Sequence, residues 1–421
     1  MRLVYSRIKA ILAWLIYKNR SKKLIVIWIT GTDGKTTTSH FIAQFLEQFW
    51  EKVGLISGQE YRIHKNKWKN SSKRTTPSPF FVRNFCKKCV KADCKYLVIE
   101  TSSHALHQRR VFGISYNIAL ITNLSQEHTD YHGSMLWYAK AKARLFRMVA
   151  NNTYQTQKAI IPAGIPYEDL FVYPLWQNNI FVSADINNAS DSMYSIKNIK
   201  NNLDGVSASL WYSNQNIIDT KDFCFSFLWS HMATNALFAC IVCHQLGFNL
   251  TALQNSWSQL YLLPWRLQKL ATWTNLNVFI DFAVTAKALE ATITTLTNTK
   301  NQDNNLRLVF GCTGGNHDKD KRPLMWEVSL QADKVIFTED ESYGEDFYQI
   351  YKQTFPQNKQ EITVIHDREE AIHFALKNAK VNDFVVVCGM GDLESRNIWW
   401  KEQQRSDTKI IKNFITTISH K

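Results

Sequence analysis

The stretch IVIWITGTDGKTTTSHF, Ile25 to Phe41, constrains the fold of this chain more than any other. An apolar run of strand length enters a glycine- and threonine-rich turn, and a helical pattern leaves it. Gly31 and Gly34 allow close backbone approach, so that N–H groups along Gly31, Thr32, Asp33 and Gly34 can cradle phosphate oxygens. Lys35 adds a point charge, Thr36 offers a hydroxyl to Mg²⁺, and Thr37 continues a helix whose N-terminus favours anions. The spacing is a short G-T-x-G-K-T form, because Ile29 stands where the longer G-x-x-x-x-G-K-[ST] loop has its first glycine.

The rest of the chain repeats the strand-then-helix rhythm. Short apolar runs at KVGLIS, KYLVIE and NIALITN alternate with helical patterns such as SMLWYAKAKARLFRMVA, which predicts a parallel-rich sheet with crossover helices. An Asn-rich stretch from Asp185 to Asn216 reads as loops or a small hairpin region, and HMATNALFACIVCHQLGF as the helix that closes this part. Beyond LLPWRLQKL the alternation restarts through NVFIDFA, LRLVFG, DKVIFT, EITVI and DFVVVCGMG. The expected fold is therefore α/β: a phosphate-loop domain over residues 23–265, then a Rossmann-like, doubly wound domain over 266–421. Residues 1–22 read as a basic amphipathic helix. Its apolar run is too short to span a bilayer, so docking on the next domain and contact with a membrane surface both stay open. A net charge of +14 suggests anionic partners or simply a Lys-rich solvated surface. No nucleic-acid module is recognisable. Eight cysteines without a secretory framework, and no evident signal peptide, point to the cytoplasm.

Further motifs carry a resemblance. TTP at Thr75–Pro77, ETSSHALHQRRVFG from Glu100, TNLSQEHTDYHGSM from Thr122, YAKAKARLF from Tyr138, the Asn235 helix, LLPWR and GCTGGNHDKDKRPLM occur in an order that resembles the Mur ligases, among them the UDP-N-acetylmuramoyl-tripeptide synthetases. The resemblance implies a monomeric ligase that uses ATP and Mg²⁺ to join a free amino acid, a diamino acid by this branch, to a UDP-muramoyl-peptide acceptor through an acyl phosphate in peptidoglycan synthesis. It implies that Lys35 and Thr36 hold the β/γ-phosphates and Mg²⁺, that Glu100 and His128 are further metal ligands, and that Lys142 is carbamylated. It places Asn235 on the adenine and Arg266 and Asp281 on the ribose and phosphates. Thr75, Thr76, Ser103, Gln108 and Arg110 fall where the family grips the acceptor. A folylpolyglutamate-type ligase and a non-catalytic nucleotide-binding homologue are the alternatives. His104, His132, Cys86 and Cys89 lack the second CxxC pair of a zinc ribbon.

Departures are equally specific. The short segment before Lys23 leads to the expectation that the uridine-binding N-terminal domain is essentially absent, with the acceptor held or presented differently. The family's D-Y-A-H-T-P reads DFAVTA, placing Val284 and Ala286 at the His and Pro; its D-N-P-R reads EDESYGED, without arginine; its G-K-G-H-E reads GMGDLE. The added amino acid is therefore unassigned. Finally, Trp28, Trp50, Trp229, Trp265 and Trp326 stand where the family or the local pattern has glycine. Glycine at the usual ~7% would number about 29, whereas the chain has 15 glycines and 14 tryptophans. The pattern suggests UGA codons that mean glycine read here as tryptophan, with indoles then crowding the nucleotide site. UGG at codons 28, 229, 265 and 326 would exclude it.

Overall fold

A computed structural model describes residues 2–17, 20–72, 74–151, 157–172, 178–183, 193–202, 205–214, 217–225, 230–261, 267–270, 276–315, 319–355, 362–390, 395–398, 401–404 and 406–419. The chain divides into two compact units, Met1–Tyr261 and Leu262–Lys421.

The first unit opens with α1 (Arg2–Tyr17), β1 (Ile25–Thr30), α2 (Lys35–Gln48), β2 (Val53–Ile56), β3 (Glu60–Ile63) and β4 (Asn66–Lys69). It continues with α3 (Pro79–Lys91), β5 (Tyr96–Glu100), α4 (Ser103–His107), β6 (Ile118–Ile121), α5 (Thr129–His132), α6 (Met135–Ala150), β7 (Lys158–Pro162) and β8 (Asn179–Ser183). It closes with β9 (Tyr194–Asn202), β10 (Gly205–Asn214), β11 (Ile217–Phe225), α7 (Ser230–Gln245) and α8 (Leu250–Ser256). Among the described residues these strands form one sheet in the order β11-β10-β9-β8-β7-β6-β1-β5-β2-β3-β4. Strand β1 runs parallel to both neighbours, β5 and β6, and is covered on both faces, which explains its unbroken apolar run. Parallel pairing continues out to β2 on one side and β9 on the other. Both ends of the sheet turn antiparallel, through β2-β3-β4 and β9-β10-β11. The Asn-rich stretch thus supplies two long strands. Helices α2 and α7 pack against each other, and α1 docks on α3.

The second unit holds β12 (Gln268–Leu270), β13 (Asn277–Asp281), α9 (Ala286–Thr299), β14 (Leu306–Phe310), α10 (Lys321–Ser329), β15 (Lys334–Phe337), α11 (Phe347–Thr354), β16 (Thr363–Val364), α12 (Arg368–Lys377) and β17 (Phe384–Cys388). After a small hairpin, α13 (Asp407–Ser419) ends it. Its sheet order is β12-β13-β17-β14-β15-β16, parallel except for edge strand β12. The expected doubly wound architecture is what this unit shows. Thr285 caps α9 by accepting from the Ala288 N–H at 3.1 Å, so the divergent DFAVTA still delivers a clean strand-to-helix turn.

The tryptophans divide. Trp28 does not crowd the phosphate loop: strand alternation turns it into the core cluster with Val26, Val82 and Leu106. There it stacks on Tyr116 with ring centroids 5.1 Å apart and donates from Nε1 to the Ser115 carbonyl at 3.0 Å. Trp326, on α10, packs edge-on against Phe355. Trp50 is different, because it takes the left-handed conformation at φ 63° and leaves its indole 95% exposed. Left-handed backbone costs an L-residue about 1–2 kcal/mol and glycine almost nothing. Trp50→Gly should therefore leave the protein at least as stable, by up to about 1 kcal/mol in a urea melt, and codon 50 of the gene should read UGA. A clear loss of stability would show that tryptophan belongs there. Trp229 and Trp265 lie outside the described residues.

Candidate active site

The phosphate loop joins the C-terminal end of β1 to the first turn of α2. Gly31 and Gly34 have φ of 142° and 77°, and a Cβ on either would collide, with the Thr122 hydroxyl and the Asn235 carboxamide respectively. These two positions need glycine for space as well as conformation. Asn123 Oδ1 accepts from the Thr32 and Asp33 N–H groups at 3.1 and 2.9 Å, and the Thr122 hydroxyl donates to the Asp33 carbonyl at 2.5 Å. Strand β6 thus fixes the loop that β1 delivers. Lys35 folds back to donate from Nζ to the Thr32 carbonyl.

Glu100 ends β5, the neighbour of β1, and is buried. Its carboxylate accepts from Thr36 Oγ1 at 2.9–3.0 Å and from the Gly58 N–H at 2.7 Å. Both donors are neutral, so among the described residues the carboxylate is hydrogen-bonded without a cationic partner, an arrangement that a bound cation would complete. Hard oxygen donors of this kind suit Mg²⁺. The structure therefore brings Thr36 and Glu100 together.

Lys142 lies on the buried face of α6, 1% exposed, where Nζ donates to the Gly31 carbonyl at 2.6 Å. Burial, followed by the charge of Lys35, holds its pKa well below the ordinary lysine range. Tyr138, one turn earlier, places its ring 4.4 Å from Nζ, and its hydroxyl lies 3.3 Å from the Thr32 hydroxyl and 3.1 Å from Glu127.

His128 caps α5 in a left-handed conformation, φ 54°, and stands in an aromatic cluster around α4 and α5. Its ring lies 4.7 Å from His104 and 6.2 Å from Tyr138, with a Glu127 oxygen 3.8 Å away. Burial, aided by neighbouring imidazoles, pushes His104 down to about 4 and His132 down to about 3, so both are neutral at pH 7. Among the described residues no three His, Cys, Asp or Glu side chains converge on a common metal position. Cys86 and Cys89 are buried in the sheet core.

The residues expected to grip the acceptor form a connected patch beside this cluster. Thr76 donates to the Glu100 carbonyl at 3.1 Å and accepts from the Ser102 N–H. Arg110 donates to the Thr76 carbonyl at 2.9 Å and twice to Gln108 Oε1, while Gln108 reaches the Tyr131 hydroxyl. Ser103 pairs with His132 Nε2 at 3.0 Å. Thr75 precedes Thr76 and is half-buried. Burial and the nearby Arg74 hold Arg110 below its ordinary pKa, a sign of converging positive charge suited to an anionic ligand. Asn235 extends from α7 to accept from Thr38 Oγ1 at 3.3 Å, beside the end of the loop. Asp281 belongs to the second unit, where it ends β13 and accepts from the Leu267 and Phe282 N–H groups at 3.2 and 2.7 Å. Arg266 lies outside the described residues.

Residues 29–243 match the Mur ligase middle domain, and residues 265–391 match the Mur ligase glutamate ligase domain. The chain belongs to the Mur ligase family. It is 31% identical over 396 residues to the UDP-N-acetylmuramoyl-L-alanyl-D-glutamate–2,6-diaminopimelate ligase of Geobacillus kaustophilus, covering 91% of this chain and 77% of that protein. A solved structure of a ligase with that name superposes with a TM-score of 0.64 at 29% identity, covering 94% of this chain and 79% of the other. Mycobacterium tuberculosis folylpolyglutamate synthase, at 15% identity, shares the fold with a TM-score of 0.69 over 90% of this chain and 92% of its own.

This Mur ligase also uses residues that the sequence did not single out. Thr122, Asn123, Tyr138 and the Gly58 N–H all hold the loop or Glu100 from distant parts of the chain. Thr122, Asn123 and Tyr138 stand inside runs quoted above, which was the available signal. Gly58 had none.

Proposed function

We propose that this Mur ligase joins an amino acid, through its amine, to the free carboxylate of a UDP-muramoyl-dipeptide, with ATP as the energy source. The buried Glu100–Thr36 pair at the mouth of a phosphate loop carries the reading, because a nucleotide-binding domain serving only as a scaffold has no need of a buried carboxylate held only by neutral donors among the described residues. Backbone N–H groups of residues 31–34, with Lys35, take the ATP phosphates, and Asn235 stands beside the loop for the base. Thr36, Glu100 and His128 are the residues that would hold Mg²⁺, which when bound neutralises phosphate charge. Thr75, Thr76, Ser103, Gln108 and Arg110 take the acceptor. The acceptor carboxylate attacks the γ-phosphorus and ADP leaves; the amine then attacks the acyl carbon, phosphate leaves, and the amine loses a proton. Positioning and charge neutralisation supply most of the rate.

We infer that the added residue is a diamino acid, because the relatives this chain is similar to are named 2,6-diaminopimelate ligases. In the second domain the segment Glu339–Asp346 contains no arginine, and its Glu345 is engaged by Arg322 at 2.8–2.9 Å. Incubating the protein with ATP, Mg²⁺, UDP-muramoyl-L-alanyl-D-glutamate and diaminopimelate, lysine or ornithine should give one product whose mass exceeds the acceptor's by that amino acid less water. ADP release requiring both acceptor and amino acid would accompany it. ATP binding without turnover on any pair would favour the non-catalytic homologue.

A further inference from the structure

Helix α1 presents two unlike faces. Ala10 and Ala13 are buried where the helix docks on α3. The opposite face carries Tyr5, Ile8, Ile11, Leu12, Leu15 and Ile16, an i, i+3, i+4 stripe of exposed apolar side chains in which Leu15 is 59% and Ile16 65% exposed. Trp14 extends the stripe sideways, its ring lying over Gly113, next to the exposed Phe112. Soluble surfaces rarely leave so many large apolar groups contiguous.

The charge around this stripe has one sign. From Met1 to Thr32 there is no Asp or Glu, while Arg2, Arg7, Lys9, Lys18, Arg20, Lys22 and Lys23 are basic. The helical period puts Arg7 and Lys9 on the two flanks of the stripe, and the Lys9 ammonium sits 4.2 Å over the Tyr5 ring. Arg7, Arg109 and Arg147 lie near enough to Arg144 for their charges to act on it. At 16 residues the helix does not span a bilayer, and among the described residues no helix is long and apolar enough to do so. An apolar stripe with basic flanks matches a helix lying in the plane of an anionic interface.

We propose that α1 is a docking face for an anionic lipid bilayer, which it enters in-plane with Ile8, Ile11, Leu12, Leu15 and Ile16 while Arg7, Lys9 and the Arg109–Arg144 cluster meet the headgroups. Charge selects this occupant. A second copy laid on the stripe would bring one arginine-rich flank towards another in a chain of net charge +14, whereas anionic headgroups neutralise it. Docking there would hold the enzyme at the membrane by an in-plane helix.

Co-sedimentation with phosphatidylcholine vesicles, with and without roughly three parts in ten phosphatidylglycerol, tests the proposal. The protein should pellet with the anionic vesicles only and be released by high salt. The double substitution Leu12→Glu, Leu15→Glu should raise the lipid concentration for half-binding by at least about tenfold, and Arg7→Glu with Lys9→Glu should weaken binding as well. Val381→Glu, at an exposed site in the second unit, should change nothing. Unchanged ligation in solution by the α1 variants shows that they are folded. Failure of the unmodified protein to pellet, or equal binding by L12E/L15E, overturns the proposal. So does a dimer in light scattering, without vesicles, that the same substitutions dissolve.

Discussion

Replacing Lys142 with methionine should lower ligation about a thousandfold while leaving ATP affinity within a few-fold. Methionine fills the same buried space on α6, so loss of packing does not account for such a change. The amine is 1% exposed, close enough to Lys35 to feel its charge, and shifted towards its neutral form. A neutral amine adds to CO₂ and releases a proton, leaving an N-carboxylate. That step puts a negative charge beside Lys35 where the amine had none and supplies a second anionic oxygen donor near the loop. The direction of the pH dependence follows. The amine becomes reactive as pH rises through its folded-state pKa, so activity at limiting bicarbonate should climb and level off well below the ordinary lysine range. Labelling with ¹³C-bicarbonate should give a carbamate carbon signal in the native protein and none in Lys142→Met. Equal signals in both, or full activity in the variant, would remove Lys142 from the chemistry.

Glu100→Gln should lower turnover by about 10²–10³ and raise the Mg²⁺ concentration needed, yet leave the protein as stable or more so. With its oxygen in the Oε2 position the carboxamide can still accept from the Gly58 N–H, and with its nitrogen in the Oε1 position it can donate to Thr36 Oγ1, which keeps the contacts seen at 2.7 and 3.0 Å. What it removes is a buried charge with neutral partners, and removing such a charge does not by itself cost stability. A purely structural Glu100 predicts the reverse, lowered thermal stability with turnover intact in the folded fraction. Metal-dependent activity and melting temperature, measured on one preparation, separate the two.

The sequence disclosed what is local. Strand β1, the loop and α2 follow from apolar run, glycine spacing and helical pattern within one short window, and the second unit's strands announce themselves as apolar runs between helices. Strands β3 and β4 escaped because EYRIHKNKWK is short and polar, and its pairing across a turn leaves little period to read. In the Asn-rich stretch the hairpin reading holds for β9 and β10, but their length stayed hidden because antiparallel strands near the end of a sheet tolerate a polar face. In the site, Glu100 and Lys142 are ordinary residue types, 65 and more positions from the loop, and only the order of motifs singled them out. Their supports, Gly58, Asn123 and Tyr138, act through contacts among the β2–β3 turn, β5, β6, α6 and the loop. No spacing rule in one sequence encodes those. The αL conformation of Trp50 was foreseeable from the helix end before it, whereas the stacked, hydrogen-bonded niche of Trp28 required the fold.

The central claim is that a carboxylate is activated by phosphoryl transfer before the amine attacks. The measurement that tests it most directly uses acceptor labelled with ¹⁸O in both oxygens of the reacting carboxylate, with ATP, Mg²⁺ and the amino acid that turns over. One ¹⁸O should appear in inorganic phosphate for each amide formed, because the bridging oxygen of the acyl phosphate leaves with phosphorus. Label in AMP instead, or unlabelled phosphate accompanying amide formation, would contradict the account.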